Sequence, residues 1–346
     1  MTTVDGSTRA AAGVPPRLMV VAAFAAIYVI WGSTYLAIKY AIETVPPFLM
    51  TGARFLIAGG VLYAWSSFAR GRIRPSPDSP LTGGASRRAW RDAFIVGALL
   101  IVGGTALVSW AELSVPSGIT SLILATTPLW MVLLESVDSG TPPAPRVLAG
   151  VAVGLGGLAI LVGPSLVSPG TGVDVLGVAA LALAALAWST GALFSRRAAL
   201  PASPARATGM QMIAGALLSL GVGFAIGEHH RLSFAAITST SLIAIAYLVV
   251  AGALVGFSAY LWLMRVSTPS RVATHAYVNP VVAVLLGWVV LGETVTVRTG
   301  IAMAVIVMAV VLIVSGARRK PLTGSDIASP EERARDPRGL SPQRAA

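Results

Sequence analysis

Two charged residues stand inside stretches that are otherwise oily, and chemistry is sought there first. Arg54 lies about eight residues into the apolar run Pro47–Phe68, roughly 11 Å along a helix that rises 1.5 Å per residue. Glu112 follows the run Ala93–Ala111. A charge in hydrocarbon is costly, so each needs a counter-charge, carbonyl groups or a bound solute beside it. The placement predicts that Arg54 and Glu112 approach one another, as a gate or as a structural pair. A guanidinium suits the carboxylate of a substrate, while a helix–helix tie or a side chain snorkelling outward fits the same position. A desolvated Glu112 has the character of a proton carrier, and His275 is a second titratable candidate. Solvation at the membrane edge, or a bond to a nearby carbonyl, fits them equally. No carboxylate falls in the middle of an apolar run, so coupling to a proton or cation stays open.

Uncharged residues extend the candidate site. Trp31, Tyr35, Trp110, Trp130, Trp188, Trp262 and Tyr277 are candidates for an aromatic wall, which suits an amphiphilic or cationic solute. Trp65, Trp90 and Trp288 lie near segment ends and fit an interfacial belt. Thr34, Ser189, Gln211 and Asn279 can hydrogen-bond a substrate or bridge helices. Pro128 and Pro280 fall inside apolar runs, where proline removes a backbone bond and kinks a helix, giving a hinge or a static bend.

Other chemistries find little support. There is no cysteine, which removes disulfides and thiolate metal sites. The pair His229-His230 sits in a loop, and no metal or cofactor is expected. The pairs Gly150–Gly154 and Gly252–Gly256 permit close helix packing and are not nucleotide loops. With no such loop, ion gradients or the solute's own gradient are expected to drive any transport. A polytopic membrane enzyme would need clustered acid, base or metal groups, and the 14 Asp/Glu and 3 His are scattered. The formal charge of +11 could suit nucleic acid, but no basic soluble region exists to carry it, and no nucleic-acid partner is expected.

The elements that must hold these residues are helices in a bilayer. Of 346 residues 55% are hydrophobic and 11% charged, and mean hydropathy is +0.79; a soluble domain carries about 25% charge. Ten runs are long enough, or nearly so, to span: Leu18–Ile38, Pro47–Phe68, Ala93–Ala111, Pro116–Glu135, Val147–Gly163, Val175–Ser195, Gly209–Gly227, Ser241–Met264, Val272–Leu291 and Thr299–Ser315. They are apolar on consecutive residues, unlike the alternating strands of a barrel. Residues 1–17 form an N-terminal tail, 69–92 include a basic loop with Arg70, Arg72, Arg74, Pro75, Pro77, Pro80, Gly83 and Gly84, and 317–346 read as a disordered tail. With the N-terminus inside, 21 Lys/Arg fall in cytoplasmic segments and 3 in outer ones, which predicts that both termini are cytoplasmic.

The chain also repeats itself. A shift of 157 residues places Trp31 on Trp188, Thr51-Gly52 on Thr208-Gly209 and Arg54 on Gln211. At 152, Gly104 meets Gly256, Trp110 meets Trp262 and Pro128 meets Pro280; Pro116-Ser117 meets Pro269-Ser270 at 153, and Gly150 meets Gly300 at 150. The fold expected is therefore an all-α integral membrane protein of ten transmembrane helices, built as two five-helix repeats, 18–165 and 173–316. Five being odd, the halves enter the membrane from opposite sides. Alternating access about a site between the halves is commonly built this way.

A family resemblance rests on residues in the same order. Trp31-Gly32-Ser33-Thr34-Tyr35, Pro46-Pro47 with Arg54-Phe55 and Ala58-Gly59, Val115-Pro116-Ser117-Gly118-Ile119 leading to Thr127-Pro128-Leu129, and Asn279-Pro280 with Leu291-Gly292-Glu293 together resemble the EamA branch of the drug/metabolite transporter superfamily. The resemblance covers 18–316 and implies a ten-helix inverted repeat around a central cavity, exporting amino acids or other metabolites across the inner membrane. One departure is visible. The place matching Leu291-Gly292-Glu293 reads Ser139-Gly140-Thr141, so the Glu of the second half has no counterpart in the first. The expected partners are a small-molecule solute and the bilayer, with a coupling ion and a homodimer left open. A scramblase-like lipid carrier is the alternative.

Overall fold

The computed structural model describes residues 17–70, 86–140, 142–167, 174–201, 203–267 and 275–316, and all statements below concern these. The expected tails, most of the basic loop, Thr141 and Pro269-Ser270 lie outside them. Among the described residues there are helices and no strands. They are α1 (Arg17–Ile42), α2 (Pro47–Arg70), α3 (Arg87–Ala111), α4 in two pieces (α4a, Ser117–Leu124, and α4b, Thr127–Ser139), α5 (Pro145–Val167), α6 (Val175–Ser195), α7 (Pro204–Ala225), α8 (residues 239–266), α9 (His275–Leu291) and α10 (Val297–Gly316). Seven are long and apolar enough to cross a membrane by length and composition, and α5, α9 and α10 contain shorter apolar stretches.

Their outer faces explain the composition. Val29, Trp65, Leu183, Ile243 and Val289 are all more than half exposed. Water would penalise such a surface, whereas lipid does not. Backbone polar groups are satisfied within each helix, as a bilayer requires.

The observed ends differ from the expected ones where local chemistry intervenes. Helix α3 begins at Arg87, six residues before Ala93, because Ser86 caps it by accepting from the Ala89 N–H at 3.1 Å. Helix α4 spans Ser117–Asp138 with an irregular turn inside it. It breaks at Ala125-Thr126, where the Thr126 and Thr127 hydroxyls turn back to the carbonyls of Ile123 and Leu124, both at 2.6 Å. Pro128 follows this turn, in the first turn of α4b and within the longer run Ser117–Asp138. Pro280 does lie inside α9.

Two further irregularities fall at related places. Residues Ala98–Ala106 of α3 and Leu248–Gly256 of α8 are wide π-type turns, each nine residues long. Such turns cluster at functional positions. In packing, α2 lies along α7 and α5 along α10; α1 packs on α8 and α9, and α6 on α3 and α4. Exchanging each helix n with n + 5 carries this set of neighbours onto itself.

Candidate functional site

The two π-type stretches are where the matched tryptophans land. Trp31 of α1 donates from Nε1 to the Gly252 carbonyl at 3.3 Å, and its ring lies 5.6 Å from Phe257, 5.2 Å from Tyr260 and 5.2 Å from His275. A Cβ on Gly256 would collide with the Trp31 indole. Trp188 of α6 does the same to α3: a Cβ on Gly104 would stand 2.9 Å from Trp188 Cε3. The bare glycine faces are thus what lets each indole approach the wide turn closely. Thr34 donates to the Trp31 carbonyl at 2.6 Å and turns its methyl group toward Gly252.

Between these contacts is a small central cavity of about 20 Å³. It is lined by Phe55, Gly97, Leu100, Ile101 and Thr105 from the chain before residue 168, and by Trp188, Thr208, Gln211, Met212 and Phe257 from the chain after 174. A single water needs roughly 10–15 Å³ on this measure, so the space is closed to larger solutes in this conformation. Trp188 and Gln211 both line this space, beside Phe55 and Thr105, which the sequence did not single out.

A second polar group lies toward the α3–α4a junction. Arg54 is 4% exposed and Glu112 fully buried. The Arg54 Nε and both Glu112 carboxylate oxygens have no hydrogen-bond partner, nor does the buried Thr120 hydroxyl. The Arg54 guanidinium lies 4.7 Å from the Phe55 ring centre. The expected Arg54–Glu112 pair is not formed: their charges are near enough to interact, but no ion pair joins them. Lys39 is the residue missed from the sequence, and its Nζ donates to the Glu112 backbone carbonyl. Tyr35 and Trp110 pack against the adjoining apolar cluster around Val108, Leu122 and Val284.

Other sequence candidates lie elsewhere. Trp262 packs with Ile27 and Leu263, and Trp130 with Leu129 and Val147, both away from the cavity lining. Buried Asn279, with its amide turned to donate, reaches the carbonyls of Tyr28 at 3.3 Å and His275 at 3.1 Å, which makes it a helix tie. Ser189 donates to the carbonyls of Ala185 and Thr127. The Tyr277 side chain lies outside the described ones. Trp65 and Trp288 are exposed at 72% and 57%, as an interfacial or lipid-facing role needs, while Trp90 packs beside Tyr63 and Phe94. His229 and His230 stack on one another, and no group of metal-binding residues forms among the described residues.

Carboxylates fasten the helix ends around this core. Glu293 accepts from the Ser117 N–H at 2.7 Å, the Ser117 hydroxyl at 2.9 Å and the Gly118 N–H at 3.1 Å. It thereby satisfies the start of α4a, which has no acidic residue in its first turn. Glu228 does likewise for α2, accepting from the N–H groups of Phe48 at 3.3 Å and Leu49 at 3.0 Å. Gly292, at φ 66°, turns the chain so that Glu293 folds back over α9. Gly140 ends α4b with nearly the same φ, 64°, although no Glu follows it. In the loop before α6, the Ser114 hydroxyl and the N–H groups of Gly177 and Leu176 hold the Asp174 carboxyl below its usual range. At the other end of the molecule, Arg197 pairs with Asp138, and Arg196 with Glu135 at 3.3 Å.

Known proteins resemble this chain over most of its length. A model of the EamA-like transporter family matches residues 18–163 and again 175–315. The uncharacterized inner membrane transporter YedA of Escherichia coli strain K12 is 34% identical over 296 residues, covering 84% of this chain and 89% of that protein. A probable amino-acid metabolite efflux pump of Salmonella typhimurium is 25% identical over 299 residues, covering 82% and 90%. A solved crystal structure superposes with a TM-score of 0.59 at 25% identity, covering 87% of this chain and 99% of that one.

Proposed function

The chain belongs to the EamA-like transporter family, and from that premise we propose that it is a secondary exporter of amino acids, metabolites or related small amphiphilic solutes. It works by alternating access between two inverted five-helix halves, 18–165 and 173–316, in the cell inner membrane with both termini cytoplasmic. The observation that carries this reading is the central cavity, to which each half contributes five lining residues. A solute lying there touches both halves, so a rocking motion of one against the other exposes it first to one side and then to the other. The Phe55, Trp188 and Phe257 rings give the cavity its aromatic wall, and the polar groups on offer are Thr105, Thr208 and Gln211. Arg54, Glu112 and Lys39 then form a gate beside the cavity, where the Arg54 Nε and the Glu112 carboxylate, without partners in this conformation, gain them in another.

The test follows solute across the membrane. The protein is expressed in a bacterium and intracellular and extracellular levels of amino acids, metabolites and toxic analogues are measured against a Gln211→Leu variant at matched membrane abundance. A solute depleted inside and enriched outside, with the depletion lost in the variant, supports the reading. Accumulation inside reverses the direction. No change across the panel, with the protein well inserted, overturns the soluble-solute exporter and turns the search to lipids.

A further inference from the structure

A larger cavity lies apart from the central one. It measures about 240 Å³ and is lined by Pro116, Gly118 and Ile119 at the start of α4a, Val284 of α9, and the segment Glu293 to Thr296 with Arg298 and Thr299 at the start of α10. It shares no lining residue with the central cavity. Drug-sized ligands occupy pockets of roughly 300–1,000 Å³, so this space fits something smaller.

Its chemistry is specific. A carboxylate, Glu293, and a guanidinium, Arg298, line the same space, yet they are not among the ion pairs formed by the described residues. The Arg298 Nε is buried without a hydrogen-bond partner. Leaving a buried donor unmatched is costly, and a bound acceptor would relieve that cost. Thr294, Thr296 and Thr299 add hydroxyl groups to the polar lining, and Ile119, Val284 and Val295 give an apolar wall. Glu293 already accepts three hydrogen bonds from Ser117 and Gly118, but two carboxylate oxygens offer about four lone-pair sites, which leaves room for another donor.

We propose that this cavity is a second binding site, distinct from the transport path, for a small zwitterion of the α-amino acid class, with its carboxylate on Arg298 and its ammonium on Glu293. Opposite charges held apart in one pocket match a ligand that carries both, and the apolar wall receives a short side chain. A ligand with one charge would leave one of the two protein groups unmatched.

Equilibrium dialysis on the full-length protein in lipid nanodiscs tests this, with labelled glycine, L-alanine and L-leucine as probes and acetate and methylamine as single-charge controls. Saturable binding of at least one zwitterion, at least about tenfold tighter than either control, is expected (about 1.4 kcal/mol). Arg298→Gln and the cavity-filling Thr294→Trp each remove one of the zwitterion sites counted in the wild type, at unchanged thermal stability, and the site they remove persists in Gln211→Leu. Thr294 is exposed at the rim, so its replacement leaves the packed core untouched should Arg298→Gln fold poorly. No saturable zwitterion binding, or a site count that is unchanged in both cavity variants, overturns the proposal. A site count lowered by Gln211→Leu and by neither cavity variant also overturns it and assigns all binding to the central cavity.

Discussion

Glu293 and Ser117 are 176 positions apart in the chain and joined by two hydrogen bonds, from the Ser117 N–H at 2.7 Å and from its hydroxyl at 2.9 Å. One carboxylate thereby ties the end of α9 to the beginning of α4a. Gly287 makes this approach feasible, since a Cβ there would overlap the Glu293 carboxylate. Glu293→Gln keeps the shape but gives up the charge that complements the helix start, and Glu293→Ala removes every bond. We expect destabilisation of about 1–3 kcal/mol for the alanine variant, less for glutamine, and a loss at least as large for Gly287→Ala. Thermal unfolding of the purified protein measures it. Equal midpoints for wild type and Glu293→Ala would refute the tie.

The matched indoles depend on bare glycine. Gly104→Ala and Gly256→Ala each push a methyl group into a tryptophan, Trp188 and Trp31 respectively. Transport is expected to fall on the order of tenfold or more in each, equivalent to about 1.4 kcal/mol, with insertion retained. Gly60→Ala is the control, because nothing lies within 4 Å of its added carbon. If all three variants transport alike, the close packing of the indoles on glycine has no functional part.

These residues also show what was legible in the sequence. The apolar runs marked the helices because lipid tolerates no other backbone arrangement for such segments, and the repeat matched Trp31 with Trp188 and Gly104 with Gly256, but that each indole packs on a glycine of the other half was not legible in it. The tyrosine, tryptophan and asparagine candidates were harder. Nothing in residue type separates Trp188, which lines the cavity, from Trp262, which packs with Ile27 and Leu263. The break in α4 falls beside Pro128, whose missing N–H leaves the Leu124 carbonyl to the Thr127 hydroxyl. The role of Glu293 was visible only as an absence, since α4a starts at Pro-Ser-Gly with no acid of its own. A helix start lacking a local cap predicts a distant one.

Arg54 and Glu112 interact without touching, and each is desolvated. Arg54→Ala leaves Glu112 with less compensation, and Glu112→Gln does the same to Arg54. Each single variant is expected to lose stability and transport. The double variant Arg54→Ala/Glu112→Gln recovers part of the stability, because neither of these two buried charges then remains without the other. A coupling of about 0.5–3 kcal/mol is expected from the cycle. Strict additivity of the two single effects would show that Lys39 or backbone groups, and not the opposite charge, compensate each residue.

Orientation in the membrane is open to direct measurement, and this chain is well suited to it. It contains no cysteine, so an introduced thiol is the only one present. Arg87 and Ser233 are both exposed, at the start of α3 and in the segment between α7 and α8. The excess of Lys/Arg assigns Arg87 to the cytoplasm and Ser233 to the outside. A membrane-impermeant maleimide should label Ser233→Cys in intact cells, and Arg87→Cys only after permeabilisation. The opposite pattern would place both termini outside. Labelling of both in intact cells would mean that the two ends of the intervening helices do not face opposite sides, and the inverted arrangement of the halves would fall with it.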